Sequence, residues 1–193
     1  MKIGIQGLRG AHSENAAIKL YPKAEIITCT TFEDCFKLAQ ENDDYKIMIP
    51  IENSSSGRVA DIQYLIPKYN LQIYAEYFHL VNHHLLGLPG SKLENMKKVR
   101  SHAQAISQCQ KFIIQNNLEP IITADTAGSA KYISQNKIKS EAAIASSLAA
   151  KIYDLDILAK DIEDESGNVT RFLVMGKNAH HPSFLKDKKY ITS

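Results

Sequence analysis

The stretch "LQIYAEYFHLVNHHLLGL", residues 71–88, decides how the chain is divided. It is long and rich in β-branched and aromatic residues, and it reads as a strand crossing between two lobes. Before it, strand-like and helical runs alternate. "KIGIQ" (2–6), "AEIITC" (24–29) and "YKIMIPI" (45–51) read as strands. "SENAAIKLY" (13–21), "TFEDCFKLAQE" (31–41) and "RVADIQYLI" (58–66) read as helices, the first stopped by Pro22 and the last by Pro67. Thr31 and Asp34 have capping-box spacing. After it the alternation resumes. "KVR" (98–100), "PIITA" (120–124), "AAIA" (142–145), "DILAKDI" (156–162) and "TRFLVMG" (170–176) are strands, with helices near 102–116, 126–134 and 146–153. This pattern predicts an α/β fold of two lobes, with mixed, mostly parallel sheets and an interlobe cleft. The expected division is 1–75 plus 163–178 for the first lobe and 76–162 for the second, followed by 179–193.

Composition narrows the function. The 193 residues are 44% hydrophobic and 23% charged, with a net charge of +2 from 23 basic and 21 acidic residues. No basic patch interleaved with aromatics is present, so no nucleic-acid partner is expected. No apolar run is long enough to span a membrane, and the strand at 2–6 stands where a leader's apolar segment would lie. Cys29, Cys35 and Cys109 form no C-x-x-C pair and read as reduced thiols of a cytoplasmic protein.

Five strand-to-helix junctions are small and polar: "GLRGAHS" (7–13), "ENSSSG" (52–57), "SHAQ" (101–104), "DTAGS" (125–129) and "ASS" (145–147). In parallel α/β sheets such junctions lie where ligands bind. Each also opens a helix whose free N–H groups favour an anion. Ser, Thr, Asn and Asp are equally the ordinary N-caps, so any one junction admits a purely structural reading. Five together, with "ENSSSG" richer than capping requires, point to a site for a small anion.

"GNVTRF" (167–172) supplies a hydroxyl and a guanidinium where a strand begins. If that strand runs antiparallel to its neighbours, its start lies beside their C-terminal ends, at the ligand edge. Arg171 fits a carboxylate bidentately; it fits equally a surface ion pair with Asp161, Glu163 or Asp164. His83-His84 and His180-His181 are adjacent pairs whose members point to opposite strand faces, so neither makes a metal site. His102 is a candidate acid or base or a cap, and no G-x-S-x-G, Walker A or G-x-G-x-x-G pattern occurs.

Taken in order, "IQGLRGAHSENAA", "IPIENSSSGRV", "VRSHAQAISQC", "TAGSA" with "AAIASSLAAKIYDL", and "GNVTRF" resemble a prephenate dehydratase catalytic domain over roughly 2–177. The resemblance implies a fold like a type 2 periplasmic binding protein and the decarboxylating dehydration of prephenate to phenylpyruvate, without cofactors. It implies Thr170 as the catalytic residue. Arg171 is expected at a substrate carboxylate, and Asn53, Ser54, Ser101, Gln104, Gln108, Thr126 and Ser13 along the cleft. Arogenate, in which an amino group replaces the keto group of prephenate, is the alternative substrate; a non-catalytic binding module of the same fold is another reading. A homodimer or larger homo-oligomer is implied as well. The family's usual G-T-aromatic-S is here Gly10-Ala11-His12-Ser13, and Ala103 stands for the usual Pro. Family members continue into a phenylalanine-binding ACT domain; "HHPSFLKDKKYITS" (180–193) reads as a linker and the first strand of one.

Overall fold

A computed structural model describes residues 1–177; the expected linker or ACT start at 179–193 and the His180-His181 pair lie outside them. The first lobe is built from β1 (Lys2–Gln6), α1 (His12–Leu20), β2 (Glu25–Cys29), α2 (Phe32–Glu41), β3 (Tyr45–Asn53), β4 (Gly57–Arg58), α3 (Ala60–Tyr69) and β5 (Gln72–Leu80). The second holds β6 (His84–Gly87), β7 (Lys98–His102), α4 (Ala103–Gln108), α5 (Gln110–Gln115), β8 (Glu119–Thr123), α6 (Thr126–Asn136), β9 (Glu141–Ala145), α7 (Ser147–Ile152) and β10 (Asp156–Ala159). The chain then returns to the first lobe as β11 (Val169–Gly176).

The two sheets share one logic. Their orders are β2-β1-β3-β11-β5, with β4 on β3, and β10-β6-β9-β7-β8. In each, the three parallel strands run second, first, third. The fourth place is taken by an antiparallel strand, β11 or β6, next to where the chain changes lobe. This is the expected two-lobed α/β arrangement, with one mixed sheet in each lobe. Both faces of each sheet are covered at its centre. Phe36, Ile47, Leu65 and Leu173 pack under α2 and α3, and Ile3, Ile5, Met48 and Phe172 under α1. A fully buried Phe or Ile contributes roughly 1.5–3 kcal/mol, so these layers hold the sheet that carries β11.

Three expectations change. The run at 71–88 is two strands, not one, because the return segment pins the link between them. Val81 N–H donates to Asn168 O (2.8 Å), His83 N–H to Glu163 Oε2 (3.0 Å), and Ile162 N–H to His83 O (3.0 Å). β5 therefore stays in the first sheet through Leu80, and the division falls at 81–83 rather than between 75 and 76. Second, Pro67 lies inside α3, which ends at Asn70 in the left-handed region (φ 47°). The carbonyl that loses its partner belongs to exposed Gln63. Third, the helix near 102–116 is two helices broken at Cys109. Asp164 takes the break: its N–H donates to Gln108 O (2.7 Å) and its Oδ1 accepts Lys111 N–H (2.9 Å). The capping box of α2 is present as the spacing predicts, with Thr31 Oγ1 accepting Asp34 N–H at 3.1 Å and Asp34 Oδ2 accepting Thr31 N–H at 3.0 Å.

The lobes meet at the β1–α1 loop. Ser146 Oγ donates to Gly10 O (2.6 Å) and Tyr153 Oη to Arg9 O (2.7 Å). Gly10 has φ +89°, and a Cβ there would stand 2.8 Å from Ala149 Cα. Gly10→Ala combines a disfavoured φ with a clash against backbone. It should lower stability by about 1–3 kcal/mol, read as a shift in the urea midpoint at constant slope.

Beneath that loop, His12, His79 and His83 form a layer with ring centroids 5.4 Å (His12–His83) and 6.3 Å (His12–His79) apart. Both ring nitrogens of His12 and of His79 are sealed from solvent without a hydrogen-bond partner. Burial pushes His12 down to about 3 and His79 to about 4. The unfolded chain binds protons at these rings near pH 6.5, whereas the folded chain does not until far lower. Stability is therefore full above pH 6.5 and lost as pH falls toward 4, by up to about 1.4 kcal/mol per pH unit for each ring. Thermal melts between pH 7.5 and 5 should show this slope, and His79→Phe should flatten it.

Candidate active site

The C-terminal ends of the parallel strands in both sheets face one cavity of about 790 Å³. Its wall is made by the β1–α1 loop, the end of β2, Asn53 at the end of β3, the starts of α4 and α6, and the return segment with Asn168 and Thr170. The antiparallel register that pairs Thr170 with Asn53 on one side and His79 on the other carries the Thr170 hydroxyl to this edge.

Asn53 organises the site. Its Oδ1 accepts the backbone N–H groups of Ser55 (3.0 Å) and Ser56 (3.1 Å) and the Ser56 hydroxyl (3.1 Å). A backbone N–H can only donate, so the orientation of the amide is fixed. Its Nδ2 then donates to Thr170 Oγ1 (2.9 Å) and to Asn168 Oδ1 (2.7 Å). Thr170 accepts that bond, which leaves its own hydroxyl hydrogen free for a ligand. The network continues outward. Asn168 Nδ2 donates to Gln108 Oε1 (3.1 Å), which also lies 2.9 Å from His83 Nε2. Because Gln108 Oε1 can only accept, His83 carries its proton on Nε2. Burial holds His83 below the ordinary histidine range. Gln104 Nε2 donates to Ser56 Oγ at 2.8 Å and bridges the lobes.

Of the residues expected at the site, Thr170, Asn53, Gln104, Gln108, Thr126 and Ser13 come together on the cavity wall. Ser54, Ser101 and Arg171 do not. Ser54 Oγ accepts Val169 N–H (2.9 Å) and locks "ENSSSG" to the start of β11. Ser101 is fully buried, and its Oγ donates to Ile144 O (2.7 Å) across β7 and β9. Arg171 follows Thr170 on a strand, so it faces the other side of the sheet. There its Nη2 lies 2.7 Å and its Nε 2.8 Å from Glu76 Oε2, with Glu52 at 4.0 Å and the Phe78 ring beneath it. Its ion-pair partner is thus Glu76, not Asp161, Glu163 or Asp164. Glu163 and Asp164 are taken up by the link at 82–83 and by α5. Among the described residues no three His, Cys, Asp or Glu side chains are placed to hold a metal ion.

Asn168, His83 and Asp125 also line the cavity. Asn168 stands in the "GNVTRF" motif and was legible there; His83 owes its place to tertiary packing alone. Among the described residues, no Lys or Arg side chain lines the wall. An anion would instead meet the first turn of α1, where Ala11 offers no side-chain cap to the free N–H groups.

The family model described as prephenate dehydratase matches residues 3–180. Arogenate dehydratase 2 of Petunia hybrida is 39% identical over 193 residues, 100% of this chain and 48% of its own length. The chloroplastic arogenate dehydratase/prephenate dehydratase 2 of Arabidopsis thaliana is 40% identical over 177 residues, 92% of this chain and 46% of its own. The chain thus spans about half the length of these relatives. The crystal structure of the prephenate dehydratase of Arthrobacter aurescens in complex with L-Phe superposes with a TM-score of 0.85 at 27% identity, covering 93% of this chain and 61% of that one. With the family's motifs gathered on one cleft and its model spanning nearly the whole sequence, this chain belongs to the prephenate dehydratase family.

Proposed function

We propose that this domain is a lyase that removes the ring carboxylate and the ring hydroxyl of prephenate, or of its amino counterpart arogenate, and leaves an aromatic ring. The observation that carries this reading is the Thr170 hydroxyl, held by Asn53 Nδ2 at 2.9 Å with its hydrogen free toward the cavity.

The chemistry asks little else of the protein. The C–CO₂ bond breaks, its electron pair enters the ring, and the C–O bond para to it breaks. One proton converts the departing hydroxide to water, and CO₂ leaves. Aromatisation supplies the driving force, so the enzyme's work is to orient the ring and to meet charge growing on the leaving oxygen. Thr170 donates to that oxygen, and Asn53 fixes the direction of the donation. Gln104, Gln108, Thr126, Ser13 and the free end of α1 hold the carboxylates. A positioned acid contributes typically ~10²–10⁴-fold. Thr170→Val should lower kcat by that order while Thr170→Ser keeps most of it, followed as phenylpyruvate absorbance in alkali or as phenylalanine released. Near-normal turnover by Thr170→Val would sink the assignment.

Arg171 acts from behind the strand in this reading. Tied to Glu76, it holds β11 against β5 and so holds Thr170 in place. Arg171→Gln and Glu76→Gln should each lower kcat more than they raise KM, and the double variant should lose no more than either alone. A direct contact with a substrate carboxylate predicts instead a raised KM for Arg171→Gln and no effect of Glu76→Gln.

A further inference from the structure

The dehydratase reading leaves open which group the substrate carries on its side chain, a keto oxygen or an ammonium. The cavity wall is electrostatically lopsided in a way that bears on this. Among the described residues it offers no Lys or Arg side chain and one carboxylate, Asp125. Asp125 is the N-cap of α6, where its Oδ1 accepts Gly128 N–H at 2.5 Å. Among the described residues no cation lies within ion-pair distance of it. Asp125 caps the helix as an Asp ordinarily does and at the same time presents a carboxylate to the cavity.

Position sharpens the point. Thr170 comes from the first lobe and Asp125 from the second, on the same cavity. The ring hydroxyl of either substrate and its three-carbon side chain sit on para carbons, at opposite ends of the ring. A ring lying across the cleft with its hydroxyl at Thr170 would carry its side chain to the second-lobe wall, where Asp125 stands. There a 2-keto group would bring a lone pair to Asp125, acceptor against acceptor, within a molecule already carrying two negative charges. A 2-ammonium group would donate to the carboxylate and reduce the ligand's net charge.

We infer that Asp125 is the specificity-determining residue of this site and that the preferred substrate is the 2-amino acid form, arogenate, with its ammonium on the Asp125 carboxylate. This rests on the dehydratase reading above and deepens it. One charge-assisted hydrogen bond corresponds to about 10–100-fold in discrimination.

The test compares kcat/KM for arogenate and prephenate in the wild type, Asp125→Asn and Asp125→Ser. Both replacements can still cap α6, and circular dichroism and melting temperature check that they fold. The wild type should favour arogenate by at least about tenfold, and both variants should lower the arogenate-to-prephenate ratio by about 10–100-fold. A wild type that favours prephenate or uses both equally overturns the inference, as does an unchanged ratio in folded variants; the dehydratase reading survives either result. Calorimetry with arogenate separates the remaining case. If the wild type turns over neither substrate, the dehydratase reading fails. Arogenate binding that weakens at least tenfold in Asp125→Asn would then still support the ammonium anchor, whereas equal binding would overturn it too.

Discussion

The antiparallel pairing of β11 between β3 and β5 is the constraint on which the site depends. Apart from the two-residue β4, every other strand of the first sheet runs toward the cleft and ends there. Only a strand running the other way can begin at the cleft, and β11 begins with Val169, Thr170 and Arg171. The pairing sets Thr170 opposite Asn53, close enough for the amide to fix the direction of the hydroxyl. It also makes the two lobes interdependent, since β11 reaches the first sheet only after the chain has built the second.

The site is made of amides and hydroxyls rather than charges. Asn53, Asn168 and Gln108 form a chain in which each group's donor or acceptor role follows from a backbone N–H or a lone pair that cannot reverse. Such a chain leaves few alternative arrangements, which suits a reaction whose driving force lies in the substrate. The histidine layer below is neutral for the same physical reason that the amides serve: burial penalises charge without a partner. The charged groups of the region sit at its margins. Arg171 and Glu76 lie behind the strand, and Glu163 lies in the interlobe link. Asp125 is the exception that faces the cavity.

Where sequence reasoning erred, it erred through contacts from far along the chain. Nothing within 71–88 marks a break at 81–83, because the groups that hold the break belong to Glu163, Ile162 and Asn168. Cys109 interrupts a helix for Asp164. Pro67 is tolerated because Gln63 is exposed, which the local pattern could not show. Arg171 is a different case. The period-two rule of a strand turns Thr170 and Arg171 to opposite faces, so the absence of Arg171 from the cavity was legible once the strand was accepted.

The sequence by itself determined the alternation of strands and helices, the capping box at Thr31 and Asp34, the polar junctions and the family motifs, because each rests on neighbours a few residues apart. It also set Thr170 at the start of the last strand. Only the tertiary structure decided which polar residues share a wall, that Ser54 and Ser101 brace the backbone while Asn53 holds the hydroxyl, and that Arg171 pairs with Glu76. Those outcomes depend on strand register and lobe packing, which bring together groups as far apart as Asn53 and Thr170. No local preference encodes a contact of that span.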